Sequence, residues 1–137
     1  MTGGLLRFFF DHCGGGCLWA GCDATRAALG DGPVDGATFD LSGRETVPPR
    51  VPLSAEAAAL RDTLDALHAT MLNPVYPPDP SLWRQARCDR FNAGADRLVA
   101  LLRAELEFTI EDRQERFAED PRLADWLRDN PGYRALD

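Results

Sequence analysis

Two amphipathic segments joined by a rigid, proline-rich turn restrict this chain more than any other feature. In the first, Ala57, Leu60, Leu64, Leu67 and Met71 recur at spacings of three and four, which places them on one helical face. Ser54 supplies a capping oxygen and Glu56 favours the positive end of the helix dipole. Asn73-Pro74 ends the segment, because proline disfavours helix at the residue before it. In the second, which starts at the capping residue Ser81 and runs to about Leu106, the stripe is Phe91, Ala95, Leu98, Leu102 and Leu106. Gly94 lies inside it at a cost of about 1 kcal/mol relative to alanine. A close crossing of the two helices accounts for that glycine.

The remaining apolar pieces are short. Leu5 to Asp11 reads as a buried strand, Gly14-Gly15-Gly16 as a turn, and Cys17 to Ala20 as a returning strand with Trp19 on the core side. Asp23 to Leu29 fits one capped helical turn before Gly30-Asp31-Gly32-Pro33. Residues 34–53 read as a long surface loop in which Phe39 and Leu41 pin one short strand. Phe108 and Ile110 alternate with Glu107, Thr109 and Glu111, the pattern of a half-buried strand. Asp120-Pro121 then opens a short helix carrying Leu123, Trp126 and Leu127. The expected fold is α+β: a small, mostly antiparallel sheet of three or four strands covered by a helical hairpin, with a short C-terminal helix. Residues 1–137 form a single domain in this reading, with 112–137 as a possible C-terminal appendage.

Composition narrows the function classes. The net charge is −7, and all fifteen cations are arginine, so chemistry that needs a lysine is excluded. The acidic balance disfavours nucleic acid, which demands a basic face; it suits a basic protein partner. The apolar N-terminal stretch, broken by Arg7 and stopped by Asp11, is too short for a signal peptide core. No apolar run approaches a membrane span. A cytoplasmic protein with reduced thiols is therefore expected.

Candidate chemistry is sparse. His12, Cys13, Cys17 and Cys22, with Cys88 distant, offer imidazole and thiolate ligands for zinc or a redox pair, but not at a matched CxxC spacing. The glycine run lacks the residues of a phosphate loop. Two of the three serines read as helix caps, and no nucleophile elbow surrounds any of them. Carboxylate pairs such as Glu111-Asp112 and Glu119-Asp120 read as a solvated face. A small hydrolase with a carboxylate or cysteine nucleophile ranks below both a binding protein and a metal or redox protein. Tyr76 and Trp83, in or beside the proline-rich loop, are the aromatic anchors of a partner surface. Asp79, Glu111, Asp112, Glu115, Glu119 and Asp120 supply its acidic groups.

CLWAGxDxxR at 17–26, PLS at 52–54, LNPVYPPDPSLW at 72–83 and DRFNAGADRLVALLRAEL at 89–106 resemble a group of small α+β proteins from GC-rich, actinobacterial-type genomes. That resemblance implies a strand and Leu-Trp element before a PLS-capped helix, then a proline loop and a helix leading into an acidic strand. It attaches no activity, and it implies small or polar residues where this chain has cysteines. In layout and acidity the chain is also similar to toxin immunity proteins. That similarity implies a non-enzymatic inhibitor that occludes a basic toxin domain and needs no cofactor.

Overall fold

The computed structural model describes residues 3–12 and 14–137. Among them the α+β architecture expected from the sequence is present. The elements are β1 (Leu5–Phe8), β2 (Leu18–Ala20), α1 (Asp23–Leu29), β3 (Thr38–Phe39), β4 (Glu45–Val47), α2 (Ala55–His68), α3 (Gln85–Glu105), β5 (Thr109–Asp112) and α4 (Leu123–Asp129).

Alternation on β1 sets the core. Leu6, Phe8 and Phe10 are buried while Leu5, Arg7 and Phe9 face the other way. β1 is the central strand of the order β2-β1-β5; it pairs antiparallel with β2 and parallel with β5. The α2–α3 hairpin packs on its inner face, where Leu64, Phe91, Ala95, Leu98 and Leu102 join Leu6, Phe8, Leu18 and Ile110 in one cluster. Ser54 caps α2 by accepting from the Ala57 N–H. Gly94 lies where the helices cross: a Cβ there would come within 2.5 Å of Leu64 Cδ2.

Three local expectations are corrected. Leu18, not Trp19, points into the core; Trp19 stacks on Phe9 at 5.0 Å and donates its indole N–H to the Phe9 carbonyl on the sheet's outer face. The α3 helix begins at Gln85 instead of Ser81, because Leu82 and Arg84 are drawn into main-chain hydrogen bonds with Leu136. Phe39 and Leu41 do not pin the 34–53 segment. They are exposed on and beside the β3–β4 ribbon, and the segment is held at its two ends by Val34 and Val51, both buried.

Asp35 accounts for much of that anchorage. Its fully buried carboxylate accepts from the Cys17 and Leu18 amides at 2.9–3.1 Å and pairs with Arg61 of α2 at 3.2 Å. One side chain thereby ties the loop, the sheet edge and the helical hairpin together.

The chain after β5 packs back on the fold. Phe117 packs against Trp83 and Phe91 at 5.6 and 5.3 Å, Leu123 is buried, and Leu136 bridges to Trp83. Arg87 and Arg90 both donate to the carbonyl oxygen of Asp137. No helix among the described residues is long and apolar enough to cross a membrane.

Candidate functional site

Asn73 builds the proline-rich loop from within. Its buried side-chain amide donates to the Pro80 carbonyl, and its oxygen accepts from the Val75 and Tyr76 amides. With both ends of the loop closed on one side chain, Leu72, Val75 and Tyr76 stay exposed; Tyr76 is 58% accessible. Asp79 accepts the Trp126 indole N–H at 3.1 Å, which seats α4 against the loop. Trp126 in turn packs on Tyr133, itself exposed, with ring centroids 5.4 Å apart. The loop thus presents the exposed Val75 and Tyr76, and the C-terminal segment presents the exposed Tyr133 on a half-buried Trp126, the two joined through the Asp79–Trp126 hydrogen bond. The two segments, 72–80 and 119–137, hold six acids against three arginines.

Of the expected anchors, Tyr76 is exposed here and Asp79 joins the two segments. Trp83 does not contribute. It is 1% exposed, packed among Phe91 and Phe117, with its indole N–H donated to Thr70 at 2.9 Å. It belongs to the core because Phe117 and Leu136, remote in sequence, close over it.

The expected acidic groups are dispersed and largely occupied. Glu111 on β5 pairs with Arg113 at 2.7 Å and faces Arg7 at 3.7 Å. Asp112 pairs with Arg116, and Asp120 with Arg122. The Arg122 contact holds the Asp120 carboxyl below its ordinary range. Glu119 accepts from the Gln85 amide and so caps α3 from a distance. Glu115 is exposed and forms no ion pair among the described residues.

The thiols occupy separate environments. Burial, with Asp35 beside it, pushes the Cys17 thiol well above its usual pKa. Burial also raises Cys88. Cys22 is exposed at the start of α1, where a hydrogen bond with the Thr25 hydroxyl at 3.1 Å lowers its pKa. Cys13 lies outside the described residues. Among the described ones, no three His, Cys, Asp or Glu side chains converge into a metal cluster.

A feature missed in the sequence lies where β1 ends against α2. His12 and His68 stack with ring centroids 4.4 Å apart. His68 is buried among Phe10, Phe91 and Phe117, and its Nδ1 has no hydrogen-bond partner among the described residues. Burial first, then the neighbouring His12, lowers its pKa to about 4. Both rings line a cavity of about 380 Å³ together with Arg7, Met71, Arg113 and Phe117. The sequence signal was weak: His68 lies just beside the apolar stripe of α2.

Compared with protein-family models, curated proteins and solved structures, the chain matches none.

Proposed function

We propose that this chain is a non-enzymatic protein-binding module of the cytoplasm, working as an immunity- or antitoxin-like inhibitor that occludes a basic partner. The observation that carries the reading is the exposure of Val75, Tyr76 and Tyr133 on two segments tied together by the Asp79–Trp126 hydrogen bond. Aromatic side chains presented by a fixed scaffold bury large areas at little entropic cost, and they dominate binding energy at interfaces. The loop that presents Tyr76 is fixed by Asn73 and Asp79, so little ordering is needed on association. The acidic excess of these two segments, within a chain of net charge −7, favours a cationic partner and speeds encounter with it. Asp129, exposed on α4 and in no ion pair among the described residues, adds to this acidic excess.

The binding surface is therefore Tyr76 and Tyr133 with Trp126 behind them, in place of Trp83. The test is capture of partners by the tagged protein from its native lysate at low salt, followed by reconstitution with the purified partner. The reading requires one stoichiometric basic protein whose affinity falls with salt and with Tyr76→Ala plus Tyr133→Ala. A partner bound equally well by that double variant at high salt overturns the surface.

A further inference from the structure

The His12–His68 cavity is independent of the Tyr76 and Tyr133 surface. Three phenylalanines surround His68, and a fourth ring of the same kind would fill its place without leaving a polar atom unpaired. Among the described residues the buried Nδ1 instead goes without a hydrogen-bond partner, which is costly for a polar atom. A side chain that packing alone would not select, lining a cavity of about 380 Å³, has the size and character of a small-molecule site.

The walls of the cavity divide by chemistry. Phe9, Phe10, Met71 and Phe117 form an apolar part, while Arg7 and Arg113 are cationic. Glu115 is the one carboxylate in the lining, so guanidiniums outnumber it in a chain that is otherwise strongly acidic. Glu111, outside the lining, accepts one N–H from Arg113 and stands 3.7 Å from the Arg7 Nε, which has no hydrogen-bond partner. Gln114 is already engaged, accepting from the Phe10 amide and donating to the Glu115 carbonyl. Among the described residues, the Arg7 Nε and the buried imidazole Nδ1 of His68 are thus the two groups at this cavity left without a hydrogen-bond partner, while Arg113 is shared with Glu111.

We infer that this cavity binds a small aromatic carboxylate, with its carboxylate on Arg7 and Arg113 and its ring against Met71 and Phe117 beside the His12–His68 pair. Guanidinium matches a planar carboxylate in geometry as well as charge. The neutral His68 offers one donor and one acceptor without repelling an apolar ring. His12, stacked on His68, forms one side of the pocket.

The experiment titrates the intact protein with benzoate and phenylacetate, and in parallel with benzamide and phenylacetamide. Binding is read by saturation-transfer NMR and by the imidazole nitrogen shifts. The carboxylates are expected to bind at least about tenfold more tightly than their amides, and to shift the His68 and His12 resonances. Two variants separate binding from folding. Arg113→Ala changes an exposed side chain. His68→Phe removes the orphaned nitrogen, and its melting temperature is expected to be equal or higher. Each is expected to weaken carboxylate binding by about tenfold or more. Absence of carboxylate binding at millimolar concentration overturns the assignment, as does binding indifferent to both variants. Saturable Zn(II) binding that shifts both histidines while carboxylates do not would also overturn it, making the pair a metal site.

Discussion

His68 and Asp35 are polar groups the protein keeps out of water, and they respond to perturbation in different ways. The His68 pKa in the folded state is about 4, depressed by burial and by His12 and opposed by Asp11. An unfolded histidine titrates near 6.5. The unfolded chain therefore takes up the proton first as pH falls. The contribution of neutral His68 is complete above about pH 6.5 and is lost toward pH 4. A urea midpoint that declines over this window in the native chain, and declines less in His68→Phe, is the expected outcome; identical pH profiles would contradict it. Asp35 is different because its charge is matched by Arg61 and two backbone amides. Arg61→Met strands the buried carboxylate and is expected to cost about 3 kcal/mol by chemical denaturation. Substitution of the exposed Arg97, paired with Glu56 on the surface, is expected to cost under about 1 kcal/mol. Neither polar site was legible in the sequence. Asp35 lies in what reads as a surface loop, and the amides of Cys17 and Leu18 together with Arg61 closing over it make it a core residue.

At the scale of elements, long periodic segments were readable and short ones were not. The stripe of α3 is buried from Phe91 to Leu102, that of α2 is buried at Ala57 and Leu64 and half-buried at Leu60, Leu67 and Met71, and Gly94 meets Leu64 at the crossing, as its awkward position in a helix implied. Periodicity works there because each face is sampled several times along a helix. β2 has three residues, so alternation offers no check on whether Leu18 or Trp19 faces inward. Strand order escapes periodicity altogether: β1 and β5 lie side by side in parallel although most of the chain separates them. The glycines of the first loop illustrate the same limit. A Cβ on Gly36 would lie 2.3 Å from the Gly15 carbonyl oxygen, backbone that cannot swing aside as a side chain can. Gly36→Ala is therefore expected to destabilise by about 1–3 kcal/mol, while alanine at the open Gly132 position changes the denaturation midpoint little. Equal midpoints for the two variants would show that the loop relaxes freely.

For the whole molecule, the deciding event is the return of residues 113–137 to the helical hairpin. This segment converts Trp83 from a loop neighbour into a core residue and seats Trp126 against the proline-rich loop. Stability and binding should consequently separate by residue. Trp83→Ala is expected to cost about 3–5 kcal/mol of stability, whereas Tyr76→Ala and Tyr133→Ala, both exposed, leave the melting temperature nearly unchanged. The fold class could be reached from sequence because the helical hairpin and the strand-patterned segments around Leu5 to Asp11 and Phe108 to Glu111 together imply it. The placement of Trp126 and Tyr133 beside Tyr76's loop could not, since it depends on contacts between distant segments such as Trp126 to Asp79 and Arg122 to Pro78. The measurement that bears most directly on the binding reading is low-salt capture from the native lysate with the wild-type chain and the Tyr76→Ala/Tyr133→Ala variant side by side. The account predicts one basic protein, stoichiometric with the wild type, released by salt and missing from the equally stable variant. No enriched protein with the wild type, or the same protein retained by the variant, would contradict it.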